Sequence, residues 1–84
     1  MIYYWNLIES YESSDDVNLT PLAGSTGDEF SGSAQEYAQW RLDQQLALPH
    51  PPELTGLKVK VWAGEKGKGL PEGAPPDAEA QWQA

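Results

Sequence analysis

An 84-residue chain with no cysteine and a single histidine has to hold itself together by burial. Disulfides are excluded, and so is the usual Cys/His zinc site. A chain of this size buries only about 60% of the surface that its unfolded form exposes. Small domains often add a staple or a partner subunit. With those staples gone, the expected aid is a protein partner or a second copy of the chain. No metal or cofactor is expected. The length allows one small domain.

The best alternating stretch is Leu57-Lys58-Val59-Lys60-Val61-Trp62-Ala63. Leu57, Val59, Val61 and Ala63 share one side; Lys58, Lys60 and Trp62 share the other. This predicts a strand with one face packed and one open. Residues 2–8 are aromatic and β-branched and predict another strand. Both of its faces are largely apolar, so it is expected to be central or covered on both sides. Residues 9–16 are polar and read as a loop. Residues 17–20 suit a short strand that Pro21 confines to an edge or ends. Residues 23–32 read as a Gly-rich loop with Phe30 as its apolar anchor.

Ser33-Ala34-Gln35-Glu36 has the spacing of a capping box, in which serine side chain and glutamate side chain each satisfy the other's backbone amide. A helix is expected from there to residue 46 or 47. Ala34, Tyr37, Ala38, Leu42 and Leu46 recur on one face of it. Pro49, Pro51 and Pro52 end it. Residues 64–76 are dominated by Gly, Pro, Lys and Glu and read as a linker. The segment that follows, with Asp77 as N-cap, could form one or two helical turns, too short to be stable alone.

The expected fold is α+β: a small single-layer sheet of about three strands in ββαβ order, one helix packed across it, and an extended C-terminal tail. The expected division is a compact domain over residues 1–63 and a linker with tail over 64–84.

Charge bears on partners. The chain has five basic residues against 13 acids and a net charge of −8. Its isoelectric point near 4.2 argues against nucleic acid, whose phosphates demand cationic surface, and against anionic membranes. Four of the basic residues, Lys58, Lys60, Lys66 and Lys68, fall in one stretch, and such segregation orients an approaching partner. No apolar run approaches the length of a membrane span. The opening Met-Ile-Tyr-Tyr-Trp has no basic signal-peptide region, so cytoplasmic residence is the expectation. The Asn18-Leu19-Thr20 sequon matters only in a secreted protein.

The candidate chemistries are weak. His50 lies in a proline run that favours an extended, exposed chain, a poor setting for a catalytic base. That run could dock in an aromatic groove, but stopping the helix is its simpler role. Asp15, Asp16 and Asn18 resemble part of a calcium loop without its glycine and distal glutamate. Gly64-Glu65-Lys66-Gly67-Lys68-Gly69 lacks the Ser or Thr of a phosphate loop and opens no helix. Lys58 and Lys60 beside Trp62 could offer charge and stacking to single-stranded nucleic acid, but lysines on an edge strand are a common solubilising device.

The residues suited to gripping a partner are Trp82, Trp62, Lys58, Lys60 and Trp40. Trp82, at the end of the expected linker, is expected to anchor in a pocket on a partner or a second copy. The expected function is a small acidic non-enzymatic protein-binding module of accessory, inhibitor or adaptor type, such as phages and plasmids encode. That is analogy of size and fold class. The alternative is a structural subunit of a particle or virion.

Overall fold

The computed structural model describes residues 1–11, 14–18, 28–71 and 73–84. Its strands are β1 (Ile2–Tyr11), β2 (Ser14–Asn18), β3 (Asp28–Glu29), β4 (Leu54–Gly64) and β5 (Ala78–Gln83), and its helix is α1 (Ala34–Leu46). The sheet runs β2-β1-β4-β5, and the two-residue β3 adds to β1. The pairings are all antiparallel. The molecule is a small α+β domain, one helix lying on one face of a four-strand sheet, mainly over β4 and β5.

Register shows why each side chain lies where it does. Tyr3, Trp5 and Leu7 of β1 stand opposite Ala63, Val61 and Val59 of β4. Val61, Val59 and Leu57 stand in turn opposite Ala78, Ala80 and Trp82 of β5. Successive side chains of a strand point to opposite faces, so these three rows share the face beneath α1. Tyr37, Ala38 and Leu42 of the helix close over them, and Val59, Val61 and Tyr37 are fully buried. Leu7, Leu42, Val59 and Val61 belong to one core, as the alternation of β4 and the spacing of α1 predict. Ala34, Leu46 and Phe30 pack at its margin.

The capping box is present. Ser33 Oγ accepts from the Glu36 amide at 3.2 Å, and the Ser33 amide donates to Glu36 Oε1 at 3.1 Å. At its other end the helix stops before the proline run, whose residues are exposed. On the β1 side, α1 is pinned by side chains. Arg41 and the Tyr37 hydroxyl both donate to Asp28 Oδ2, and Arg41 Nε donates to the Tyr37 hydroxyl oxygen at 2.9 Å. The guanidinium also lies 4.8 Å from the centre of the Trp5 ring and 4.9 Å from that of Trp40, distances suited to cation–π attraction.

Three expectations change. The first strand extends to Tyr11, and residues 14–16, expected in a loop, belong to β2, with a register irregularity between Glu9 and Tyr11. Asp15, Asp16 and Asn18 are thus strand residues. Leu19, Thr20, Pro21 and residues 23–27 lie outside the described residues.

The C-terminal segment is a strand, not helical turns. β5 pairs with β4 from Gly56↔Gln83 to Val61↔Ala78 and supplies the fourth strand. A six-residue helix would gain little by itself, whereas the edge of β4 offers a ladder of backbone partners, and the alternation of Ala78, Ala80 and Trp82 fits the surface under α1. Asp77 caps this junction: its carboxylate accepts from the Ala63 amide at 2.7 Å, and its own amide donates to the Val61 carbonyl at 2.8 Å.

The Gly/Pro-rich segment between β4 and β5 is anchored as well. The Tyr4 hydroxyl donates to the Glu65 carbonyl at 2.7 Å and accepts from the Gly69 amide at 3.2 Å, while Trp62 Nε1–H donates to the Ala74 carbonyl at 2.8 Å. Positive φ at Gly67, Gly69 and Gly73 lets the chain make these turns. The segment forms a strap over one end of the sheet face that α1 leaves open.

Candidate functional site

That open face follows from the same register. Tyr4 pairs with Trp62, Asn6 with Lys60, Ile8 with Lys58 and Ser10 with Gly56. Lys60 then stands opposite Glu79, Lys58 opposite Gln81 and Gly56 opposite Gln83. The strap covers the first of these rows, and Tyr4 and Trp62 are buried, at 0% and 7% exposure. The remaining rows are a platform of Asn6, Ile8, Lys58, Lys60, Glu79, Gln81 and Gln83. Asn6, Ile8, Lys58 and Lys60 are half-buried.

Two features give the platform relief. Gly56 has no side chain, and a cavity of about 120 Å³ opens there among Ile8, Ser10, Lys58, Gln81 and Gln83. A Cβ on Gly56 would stand 3.3 Å from the Trp82 carbonyl oxygen and 3.6 Å from Ser10 Cβ, so little room exists for any larger residue. Toward the centre, Asn6 Oδ1 is buried and has no hydrogen-bond partner. A buried acceptor left unpaired is costly, and Asn6 stands directly opposite Lys60, whose ammonium has three donors and no acceptor.

The residues expected to grip a partner fall in three places. Lys58, Lys60 and Trp62 share the open face, but Trp62 lies under the strap. Trp82 points to the helix side, half-buried against the chain's own core, with the His50 ring edge-on at 5.7 Å. Trp40 is 42% exposed on the outer surface of α1, next to Tyr37 and Phe30 at 6.0 and 6.1 Å between ring centres. The structure therefore brings Lys58 and Lys60 together and sets the tryptophans apart. His50 is exposed; it flanks Trp82, and its Nδ1 lies 3.2 Å from the Leu48 carbonyl oxygen.

Sequence reading missed Asn6, Gly56, Gln81 and Gln83 as parts of this surface. The signal for Gln81 and Gln83 is the alternation through residues 78–83, which places Glu79, Gln81 and Gln83 on one side once that segment is read as a strand. Gly56 and Asn6 carry no local signal; only the register makes them neighbours of the lysines.

The other polar cluster, around Arg41, is tied down. Burial, then the hydrogen bond to Asp28, pushes the Tyr37 hydroxyl up to about 12. Burial alone would raise the Asp28 carboxyl, but the hydrogen bonds from Tyr37 and Arg41 outweigh it and hold the group below its ordinary value. Protonated phenol, carboxylate and guanidinium satisfy one another across the α1–β3 seam.

Among the described residues no group of three or more His, Cys, Asp or Glu is placed to hold a metal ion, and no helix is long and apolar enough to cross a membrane. No protein-family model, curated protein or solved structure matches the chain.

Proposed function

We propose that this chain is a non-enzymatic protein-binding module that docks a protein partner, or a second copy of itself, on the open face of its sheet. The observation that carries this reading is the pair Lys58 and Lys60, half-buried side by side on that face of a chain with net charge −8. Two cations fixed on a central strand differ from lysines waving on a loop. Their stems lie along the sheet while their heads reach water. Around them are the ingredients of a polar interface: Ile8 as an apolar contact, Gln81 and Gln83 as hydrogen-bonding side chains, and the depression at Gly56 to receive a partner side chain. Complementary charge supplies register and association rate more than raw affinity, so an acidic strip on the partner fits best.

The test is a binding measurement on the purified chain. Proteins captured from the native cell are identified, and the best of them is titrated against the chain and against Lys58→Glu/Lys60→Glu. Reversal of charge should weaken binding at least tenfold, with a steep salt dependence in the unaltered chain. Equal affinity of both forms would remove the lysine pair from the interface. Light scattering separates the partner classes: a discrete monomer or dimer suits an adaptor, and large oligomers that Lys58→Glu/Lys60→Glu dissolves suit a subunit of an assembly.

A further inference from the structure

We infer that the outer edge of β5 is a self-association site, on which a second copy of this chain adds its own β5, antiparallel, about a two-fold axis at Gln81. The backbone groups that this edge leaves open follow from the register. The Ala84 amide donates to the Thr55 carbonyl at 2.9 Å, so Ala84 bonds inward to β4. Backbone bonding alternates along an antiparallel strand. Trp82 and Ala80 therefore bond inward as well, and the N–H and C=O groups of Glu79, Gln81 and Gln83 point away from the sheet. β5 is the last strand on this side, and all three residues are exposed. Among the described residues, the one hydrogen bond made to this edge from off the sheet is that of Gln35 Nε2, which donates to the Glu79 carbonyl at 2.9 Å. It agrees with the outward direction of that carbonyl, and a carbonyl oxygen keeps a second lone pair.

The two edges of the sheet are not alike. β2 carries Asp15 and Asp16, and charge on an edge strand discourages pairing. β5 holds one charged residue, Glu79, among Ala78, Ala80, Gln81, Trp82 and Gln83, with neither lysine nor proline. In a chain of net charge −8, it is a stretch on which two copies can meet. A two-fold axis at Gln81 makes it self-complementary. Gln81 then faces its counterpart and Glu79 faces Gln83, so no like charges are opposed. On the helix side half-buried Trp82 faces Ala80, a large ring beside a small residue, in the closer, non-hydrogen-bonded kind of pair. The helices fit as well. α1 lies over β4 and β5, so its two copies would stand two strand spacings apart, about 9–10 Å. Helices pack at about 8–10 Å. The exposed part of the Trp82 ring would be covered between them. Gln81 and Gln83, which line the depression at Gly56, would gain the second copy's Glu79 as a neighbour. The inference stands apart from the lysine pair, since it rests on the backbone of β5 and leaves the open face to a partner.

Sedimentation of the unaltered full chain over a concentration series reaching about 1 mM should show a monomer–dimer equilibrium. Hydrogen exchange on the same series reads the site. The amides of Glu79, Gln81 and Gln83 should exchange freely in dilute samples and slow by about tenfold or more as dimer forms, while those of Ala80 and Trp82 are protected throughout. Gln81→Pro removes an outward N–H and no bond to β4, a position at which an edge strand tolerates proline, and it should abolish the dimer. Gln83→Glu sets a carboxylate opposite Glu79 on both sides of the axis and should weaken the dimer about fivefold. Gln83→Lys should tighten it by a similar factor. Gln44→Glu and Gln44→Lys, at an exposed position of α1, make the same changes in net charge and should alter the dimer by less than about twofold. A chain that stays monomeric through the series overturns the inference, as does a dimer in which the three outward amides remain unprotected. So does a folded Gln81→Pro chain that still dimerises, or a pair of Gln83 variants whose effects match those at Gln44. If Gln81→Pro does not fold, the amide pattern and the two Gln83 variants decide.

Discussion

Gly64 lies against the ring of Tyr4 so closely that a Cβ built on it would stand 2.9 Å from Tyr4 Cε2. Tyr4 is fully buried there, its hydroxyl spent on the first and fifth residues of the strap. The ring cannot retreat without giving up those bonds, and the backbone of Gly64 is held by its pairing with Ile2. Gly64→Ala should therefore cost about 1–3 kcal/mol, the usual range for overpacking a filled site. Chemical denaturation measures it. An unchanged midpoint would mean that the strap yields freely.

Ser33→Ala tests the start of the helix. It removes the acceptor of the Glu36 amide and leaves Glu36 holding one side of the capping box. A loss of about 1 kcal/mol is expected from the general cost of deleting such a cap. Ser33→Asp, which restores an acceptor, should recover most of that stability in the same denaturation experiment.

The Arg41–Tyr37–Asp28 cluster sets limits on pH at both ends. Tyr37 has its hydroxyl pushed up to about 12 from 10.0. Folding thus favours the protonated phenol. Its contribution is fully present below the unfolded value and is lost as pH rises through the folded one. Asp28 is displaced the other way, from 3.8 downward. Its contribution is present above that unfolded value and fades as pH falls through the folded one. Stability should decline in the alkaline limb between about 10 and 12, and Tyr37→Phe should flatten that limb while lowering stability near neutral pH. Denaturation midpoints across the pH range, with tyrosinate absorbance as the monitor of ionisation, check both. An alkaline limb unchanged by Tyr37→Phe would assign it to other groups.

How far the sequence carries can be judged from β4 and β5. Leu57, Val59 and Val61 alternate with lysines, so the packed face of β4 is legible without any partner, and Ser33 and Glu36 mark the helix start by local chemistry. β5 is legible only from outside itself. Its inward residues are Ala78, Ala80 and Trp82, two of them small and helix-permissive, and the decision between helix and strand was made by the vacant edge of β4. The strap hides for a similar reason. Its composition describes a linker, but its anchors are Tyr4, 61 residues from Glu65, and Trp62, 12 residues from Ala74. The platform inherits this difficulty. Lys58 and Lys60 stand out by type, while Asn6, Gly56 and Gln81 enter it through register alone.

Val61→Asp tests which face of β4 is inside. Val61 is fully buried between Trp5 and Ala78 in the register, under α1. A carboxylate there meets no partner on the described face, and burying an unpaired charge costs several kcal/mol, a large part of a total of about 5–15 kcal/mol. The variant should be unfolded by circular dichroism, while Lys60→Asp, one residue away on the open face, should stay folded. If both remained folded, the packed face would be elsewhere.

Removing residues 77–84 gives the sharpest test of the architecture. If the end of the chain were a passive tail, the rest would melt as before. In the structure its loss strips β4 of one neighbour, takes away the Asp77 carboxylate and amide that close onto Ala63 and Val61, and uncovers Leu57 and Val59 on their β5 side. It also frees the far end of the strap, so the Trp62 contact with Ala74 loses its second tether. Ala80 and Trp82 both pack on the core, and burying a large side chain contributes about 1.5–3 kcal/mol. For a domain with a total of about 5–15 kcal/mol, the loss of these contacts together with a strand's backbone pairing should lower the melting temperature sharply or abolish the cooperative transition. Trp82→Ala alone should produce a smaller shift in the same direction. A shortened chain that melts like the full one would show that the body is stable without β5, and that the pairing of β4 with β5 contributes little to holding it together.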